Sequence, residues 1–573
     1  MTVFGALAGF IPLIILGVLT LGIVQLIRRA NNDQPVDVAT LTRQVVLFGL
    51  LYLTMILTSS GVVWAYGELT DSTARQDNRE LAEALALVAL GLPVFTVLLG
   101  VADKRLTRDE VERRSVPWSA YLTIASITAL IGTMVGAYQG ISALIDNRPD
   151  TDFDAKSLIT VLIWGAFFAT HWVVLRLRHG IRGDLHLAAA SLVGLVPMAI
   201  GQAGLLAVLT ERLYDESLGR PVEQLRGQSA PWAALFVVGC VVWIGIWLRQ
   251  YESAPRTETW YVLVVPIGAL AGFVATLGTF ARLGHLALVW MVGDVRSASG
   301  ADHFDTVPQL VGIGLTGLIA WFYHRAFLAN EPSRTNILRA YDYLLLGASL
   351  VTGVVGALMI VSSLLDDSST DKNLALAGVT LLTIGGFTWS RFASHIVVHQ
   401  TGTEGLSELR SPVRRSYLYG ALGVGGLAVL IAGVGSLERI FEDALDGTLT
   451  SDTIIDQREQ LATVVIVAGV LWFHTLVLRS DHRRVAAVLP PPPMAHWPSR
   501  IIVLDTSAET TIDLTDHPGT SVEYWHRSDG QGTATPPPDV STKELEDALA
   551  GQSAEDVLVL VTGDATSIIP FER

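Results

Sequence analysis

The chain has 573 residues, half of them hydrophobic and only 16% charged, with a formal net charge of −15. A mean hydropathy of +0.46 lies on the apolar side of the scale and points to a polytopic membrane protein rather than a soluble domain. The acidic balance, with basic residues confined to short collars, excludes nucleic acid as a partner. The single cysteine, Cys240, excludes an intrachain disulfide or a cysteine-based metal centre.

Residues 1–30 open with an apolar run that is followed by Arg28-Arg29. A secretory signal places its positive charge before the apolar core, so this order predicts a retained leading span. Crossing a bilayer takes about 20 mainly apolar residues for roughly 30 Å of hydrocarbon. Thirteen stretches qualify, near 4–27, 43–66, 81–102, 117–144, 157–177, 185–209, 231–249, 260–291, 307–328, 339–364, 374–398, 415–441 and 460–480. The longest, 260–291, must tilt or extend beyond the bilayer. Pro93, Pro197 and Pro266 are possible breaks within spans.

The loops between spans alternate in charge. One set is basic, as at Lys104-Arg105, Arg176 with Arg178, and Arg410 with Arg414-Arg415. The other set is acidic, as at Asp146 to Asp154, Asp366-Asp367 and Glu438 to Glu459. The positive-inside rule places the basic set in the cytoplasm of a cell-membrane protein, with the N-terminus outside and the C-terminus inside.

After the leading span the chain divides into six outward-pointing hairpins: 43–107, 114–179, 183–252, 256–329, 333–399 and 411–485. Their second helices end alike, with Gly239 before Trp243, Gly317 before Trp321, Gly386 before Trp389 and Gly469 before Trp472; Gly91 with Phe95 is a weaker copy. The first helices begin with aromatic residues such as Trp118 to Tyr121, Trp260-Tyr261, Tyr341 with Tyr343, and Tyr417 with Tyr419. Gly132 with Gly136, Gly353 with Gly356, and Gly426 with Gly433 are expected to let helices approach closely, as small residues do where lipid removes the hydrophobic drive. The period is about 70 residues, the mark of a repeat architecture.

The basic-aromatic start, Gly-rich first helix, polar outer loop and terminal Gly-x-x-Trp with His or Arg resemble an uncharacterised bacterial integral-membrane family, a domain of unknown function built of repeated two-helix hairpins. The resemblance implies architecture and no chemistry. Beyond Arg484 the composition changes. A Pro-rich linker (486–498) leads to residues 499–573, read as a small cytoplasmic α/β domain with strands at Ile501 to Leu504, Ser521 to His526 and Asp556 to Val561. Ser541 to Glu544 form a capping box, predicting a helix over Thr542 to Ala550. The fold class is thus an all-α polytopic membrane protein of about 13 transmembrane helices with a C-terminal α/β domain.

Chemistry-bearing residues are sparse. His171, His324, His395 and His474 lie near the inner ends of second helices, and His171 with His474 are the pair that could ligate haem axially. The alternative for this layer is an aromatic-basic interfacial belt with Trp164, Trp243, Trp321, Trp389 and Trp472. Arg282 with His285, together with Gln139 and Gln202, are the polar residues that could meet a substrate within spans. Asp150, Asp152 and Asp154 alternate as metal ligands could, without the Gly and closing Glu of an EF-hand loop. Val561 to Asp564 follow a strand, where a ligand loop could sit. No Asp or Glu falls in the central third of any span, which weakens an ion-coupled transporter.

The first functional reading is therefore a non-catalytic membrane scaffold or sensor, surrounded by lipid, whose cytoplasmic tail binds a cytoplasmic or membrane protein partner. No cofactor is required by that reading. A transporter of a small or lipidic solute stands as the alternative, and a haem-binding or lipid-linked-sugar-processing enzyme as a further one.

Overall fold

The computed structural model describes residues 38–70, 78–146, 155–177, 184–220, 225–329, 334–365, 372–401, 405–488, 498–505, 520–526, 545, 548–549, 556–562 and 565–571. The leading span lies outside the described residues, as do 489–497 of the Pro-rich linker, whose first residues belong to a helix that runs to Val488, and Asp150, Asp152 and Asp154. Among the described residues, 12 helices are long and apolar enough to cross a membrane. The protein is a multi-pass, all-α membrane protein with a small α/β domain at its C-terminal end.

The helices are α1 (Val38–Thr70), α2 (Asn78–Arg108), α3 (Val116–Asp146), α4 (Ala155–Leu177) and α5 (Asp184–Ser217). Helix α6 runs over Leu225–Trp243 and continues as a π-helical stretch, Ile244–Tyr251. Helix α7 is built of Glu258–Val262, a π-helical stretch Leu263–Leu270, and Ala271–Val292. Then come α8 (Val307–Leu328), α9 (Asn336–Leu365), α10 (Lys372–Val398), α11 (Pro412–Leu445) and α12 (Arg458–Val488). The chain forms two compact units: Met1–Gly402 with Ser411–Leu471, and Thr403–Arg410 with Trp472–Arg573.

In the first unit the expected hairpin partners pack together: α1 with α2, α3 with α4, α5 with α6, α7 with α8, and α9 with α10. Glycine sets the approach. A Cβ on Gly356 would strike the backbone of Gly378 and Leu382, and one on Gly312 would strike the carbonyl of Ala203. Since lipid is as apolar as a leucine surface, such backbone contact, rather than burial from water, holds the helices together. Gly132 and Gly136 act as expected, facing Trp164 and Thr160, and Gly353 lies near Gly385 and Gly386. Gly426 and Gly433 do not: both have open space, and Gly425 is the residue of α11 that meets Leu471. The reason is helical phase. Glycines one residue apart point about 100° apart, and composition alone does not select between them.

The long span at 260–291 is helical throughout and includes the π stretch that contains Pro266. Proline removes one donor and crowds the preceding turn, a conflict that a wider turn absorbs. Pro93 and Pro197, by contrast, sit inside unbroken α-helices. In α6 the wider turn is marked by the Glu252 N–H, which donates to the Trp247 carbonyl five residues back at 2.8 Å. The Gln250 side chain donates to the Gly245 carbonyl at 2.8 Å.

The α/β domain is a four-stranded sheet of order β2-β1-β3-β4, with β1 (Arg500–Asp505), β2 (Ser521–His526), β3 (Asp556–Thr562) and β4 (Ala565–Phe571). Strand β1 pairs in parallel with β2 and β3, and β4 returns antiparallel to β3. Three of these strands were legible in the sequence, whereas β4 was not. Because Thr562 pairs with Ala565, the Val561–Asp564 segment joins two strands of a hairpin rather than a strand to a helix. Of the expected helix, Leu545, Ala548 and Leu549 are described and helical, and Leu545 and Leu549 are buried against Ile501, Val503, Val557 and Val559. The other positions of the expected helix, including its capping box, lie outside the described residues.

Candidate functional site

The polar side chains buried in the bundle gather near the ends of helices marked by the histidines and tryptophans. In the first four helices, α1–α4, His171 anchors the cluster. Its Nδ1 lies 2.7 Å from the Phe167 carbonyl, an acceptor, so in the neutral ring Nδ1 carries the proton. Its Nε2 is then the acceptor, and the Tyr121 hydroxyl donates to it at 2.9 Å. Trp118 stacks on Tyr121 at 5.4 Å between ring centroids, and Phe48 closes the cluster from α1. Both nitrogens of His171 are engaged, so an axial metal bond at either would first displace a partner.

The next four helices, α5–α8, repeat the plan around His324, whose Nδ1 donates to the Ala320 carbonyl at 2.7 Å. A Cβ on Gly268 would overlap the His324 ring, so the imidazole lies directly on the π stretch of α7. Trp243, Trp247 and Tyr251, spaced one turn apart along α6, stand in the same cluster. The Trp247 indole donates to the Tyr323 hydroxyl at 2.8 Å and stacks on Trp260 at 5.9 Å, with Phe327 edge-on to both. The Arg256 guanidinium lies 5.2 Å over the Trp260 ring, a cation–π contact.

In the last set, α9–α12, charge replaces part of the aromatic packing. Asp342 is buried, with Arg334 at 2.9 Å and His395 at 3.4 Å from its Oδ2. Arg414 donates to the Tyr343 hydroxyl at 2.8 Å. His474 belongs to the second compact unit, where it is buried with Phe473 edge-on at 5.3 Å.

These positions revise the interfacial belt. Trp164 and Trp243 are buried inside the bundle, where they pack on glycine-bearing helices, while Trp472 is 64% exposed. A belt needs rings on the outer surface, and lipid-facing and protein-facing aromatics are equally apolar in sequence. Of the other polar candidates, Gln139 and Arg282 lie exposed on the outside of their helices, and Gln202 and His285 are half-buried. The four stand on three different helices, Gln139 on α3, Gln202 on α5, and Arg282 with His285 on α7. Sequence reasoning missed Tyr121, Tyr323, Asp342 and Arg414. The pairing of Tyr121 with His171 had a signal, since the Tyr-Leu of 121–122 and of 417–418 recurs at the same place after Arg-Ser. No group of three or more His, Cys, Asp or Glu able to hold a metal occurs among the described residues.

The arrangement supplies hydrogen-bonded packing within each set of four helices. A family model described as Domain of unknown function (DUF5671) matches the chain three times, at residues 40–170, 184–329 and 339–473. Each match spans two of the hairpins, so the repeating unit is four helices. No curated protein and no solved structure matches the chain.

Proposed function

Since the chain belongs to the family described as Domain of unknown function (DUF5671), we propose a function from its own structure: a non-catalytic membrane scaffold or sensor whose α/β domain binds a protein partner. The observation that carries this reading is the second face of the sheet. Leu545 and Leu549 cover one side, with Ile501, Val503, Val557 and Val559 beneath them. The strand register puts Leu504, Trp525 and Leu560 in one row on the other side, and Ile502, Glu523, Leu558 and Ile569 in the next. Trp525 on β2 and Ile569 on β4 are 51% and 43% exposed there, at the two edges of the sheet. A half-exposed aromatic on such a surface is the usual anchor of a protein interface.

The interior of the bundle supports the same reading, because several of its buried polar groups are paired with one another: Tyr121 with His171, Trp247 with Tyr323, Arg334 with Asp342 and Arg414 with Tyr343. The basic collars favour a cytoplasmic location for the α/β domain in a cell membrane. On that same sheet face Glu523 accepts two hydrogen bonds from Arg500 at 2.8 Å, which hold the guanidinium pKa above its ordinary value. This pair gives the interface a polar rim beside its apolar rows.

The test is affinity purification of the full chain from its native membrane, comparing wild type with Trp525→Ser. Proteins that copurify with wild type are expected to be lost with the variant, while membrane insertion stays intact. An identical set of copurifying proteins in both samples would sink the reading.

A further inference from the structure

One packing rule joins the repeats. At the first junction α3, the third helix of its repeat, lies against α6 and α5, the second and first helices of the next. At the second junction α7 lies against α10 and, through its π stretch, against α9, again the second and first helices of the repeat that follows. Each repeat has four crossing helices, an even number, so successive repeats stand the same way up in the membrane. The junction is therefore heterologous: a repeat presents one surface forward and a different one backward. Two surfaces of that kind are left over. Among the described residues, no further repeat lies against α11 or against the outer face of α1 and α2.

The residues of these two surfaces can be read from the junction already made. Its core includes Ile131, Met134, Tyr138 and Ile141 of α3 against Val193 of α5 and Val238 and Val242 of α6. Aligning Arg114-Ser115 with Arg410-Ser411 also aligns Tyr121-Leu122 with Tyr417-Leu418. In that frame the four α3 residues become Leu427, Leu430, Val434 and Leu437, which are 51–64% exposed. Ile127 and Leu130 become Gly423 and Gly426, both with open space where a side chain would be. On the receiving side, Gly91 faces Thr58 as Gly239 faces Met198. This frame carries Val193, Val238 and Val242 onto Leu53, Leu90 and Val94, which are 46–73% exposed.

We propose that a second copy of the chain docks head to tail, with α11 of one copy against α1 and α2 of the next, repeating the junction that each chain already contains. Apolar exposure alone would not argue this, because lipid satisfies it equally well. Continuity does: both free surfaces correspond to surfaces that already fit each other inside the chain, and a same-way-up repeat is what a second copy in one bilayer provides. Whether the series closes into a ring or continues is set by the rotation per repeat.

The test uses the full chain in native membranes with Cys240→Ala as background. Copies carrying Leu430→Cys are co-expressed with copies carrying Leu90→Cys, and disulfide-linked dimers are followed over time. The control replaces Leu430→Cys by Val465→Cys, a lipid-exposed position of α12. Linking several-fold faster than the control is the expected result. A rate equal to the control overturns the proposal. So does faster linking between two Leu430→Cys copies, which would mean a symmetric contact. A link within one copy between Ile15→Cys and Leu90→Cys overturns it as well, because the N-terminal segment would then cover that face. As an independent readout, Leu430→Trp should lower the oligomer fraction of the purified protein in lipid nanodiscs several-fold, with Val465→Trp leaving it unchanged. An oligomer fraction insensitive to Leu430→Trp also counts against the proposal.

Discussion

The middle and last repeats share a four-helix plan, yet their third helices have opposite surroundings. In α7 the most apolar stretch is 56% buried, Phe273 is held between Trp321 and Phe392, and Gly268 and Gly272 have no room for a side chain. In α11 the corresponding share is 6%, and Gly420, Gly423, Gly426, Gly433 and Gly435 all have open space. Both helices are similarly apolar. What differs is the presence of a following repeat, so burial in this protein reports neighbours rather than hydrophobicity.

Substitutions can break or sharpen that contrast. The largest effect is expected from Asp342→Asn in the last repeat, because it leaves Arg334 buried without its counter-charge. Losing one member of such a pair costs about 3–5 kcal/mol, read as a drop in unfolding free energy in detergent. If the loss were small, the Asp342 end of the last repeat would be as open as its α11 face. Trp247→Ala in the middle repeat empties a fully buried site and should cost about 3–5 kcal/mol in the same assay. The matching change at exposed Trp472→Ala should stay within about 0.5 kcal/mol.

Glycine substitutions give the next step down. Gly268→Val pushes a side chain into the His324 ring and should destabilise by about 1–3 kcal/mol, the usual range for overpacking. Gly433→Val meets nothing and should be neutral within about 0.5 kcal/mol. Equal effects at the two positions would erase the contrast. A change of similar size is expected for Tyr121→Phe, which removes the donor to His171 and leaves one buried acceptor unpaired. That costs about 1–3 kcal/mol, and ring-nitrogen chemical shifts of His171 should report the lost bond.

Particular residues show where the sequence was readable. The hairpins were, because spans of about 20 apolar residues bounded by charged loops leave little choice in a bilayer. Strands β1 to β3 were readable too, as short apolar runs. Strand β4 was not: in Ala565–Phe571 Pro570 interrupts the short apolar run Ile568-Ile569, and its pairing with β3 is what makes it a strand. The Tyr121–His171 bond and the Asp342–Arg334–His395 group were equally hidden, since each joins residues on different helices or loops.

By itself, then, the sequence determined a multi-pass helical membrane protein with repeated hairpins and a C-terminal α/β domain. Length, charge alternation and glycine content are local properties, and the bilayer converts them directly into helices. The tertiary structure decided which apolar faces meet protein, which histidine meets which tyrosine, and which helix is left bare. In lipid both kinds of face are equally apolar, so only the actual approach of one backbone to another distinguishes them.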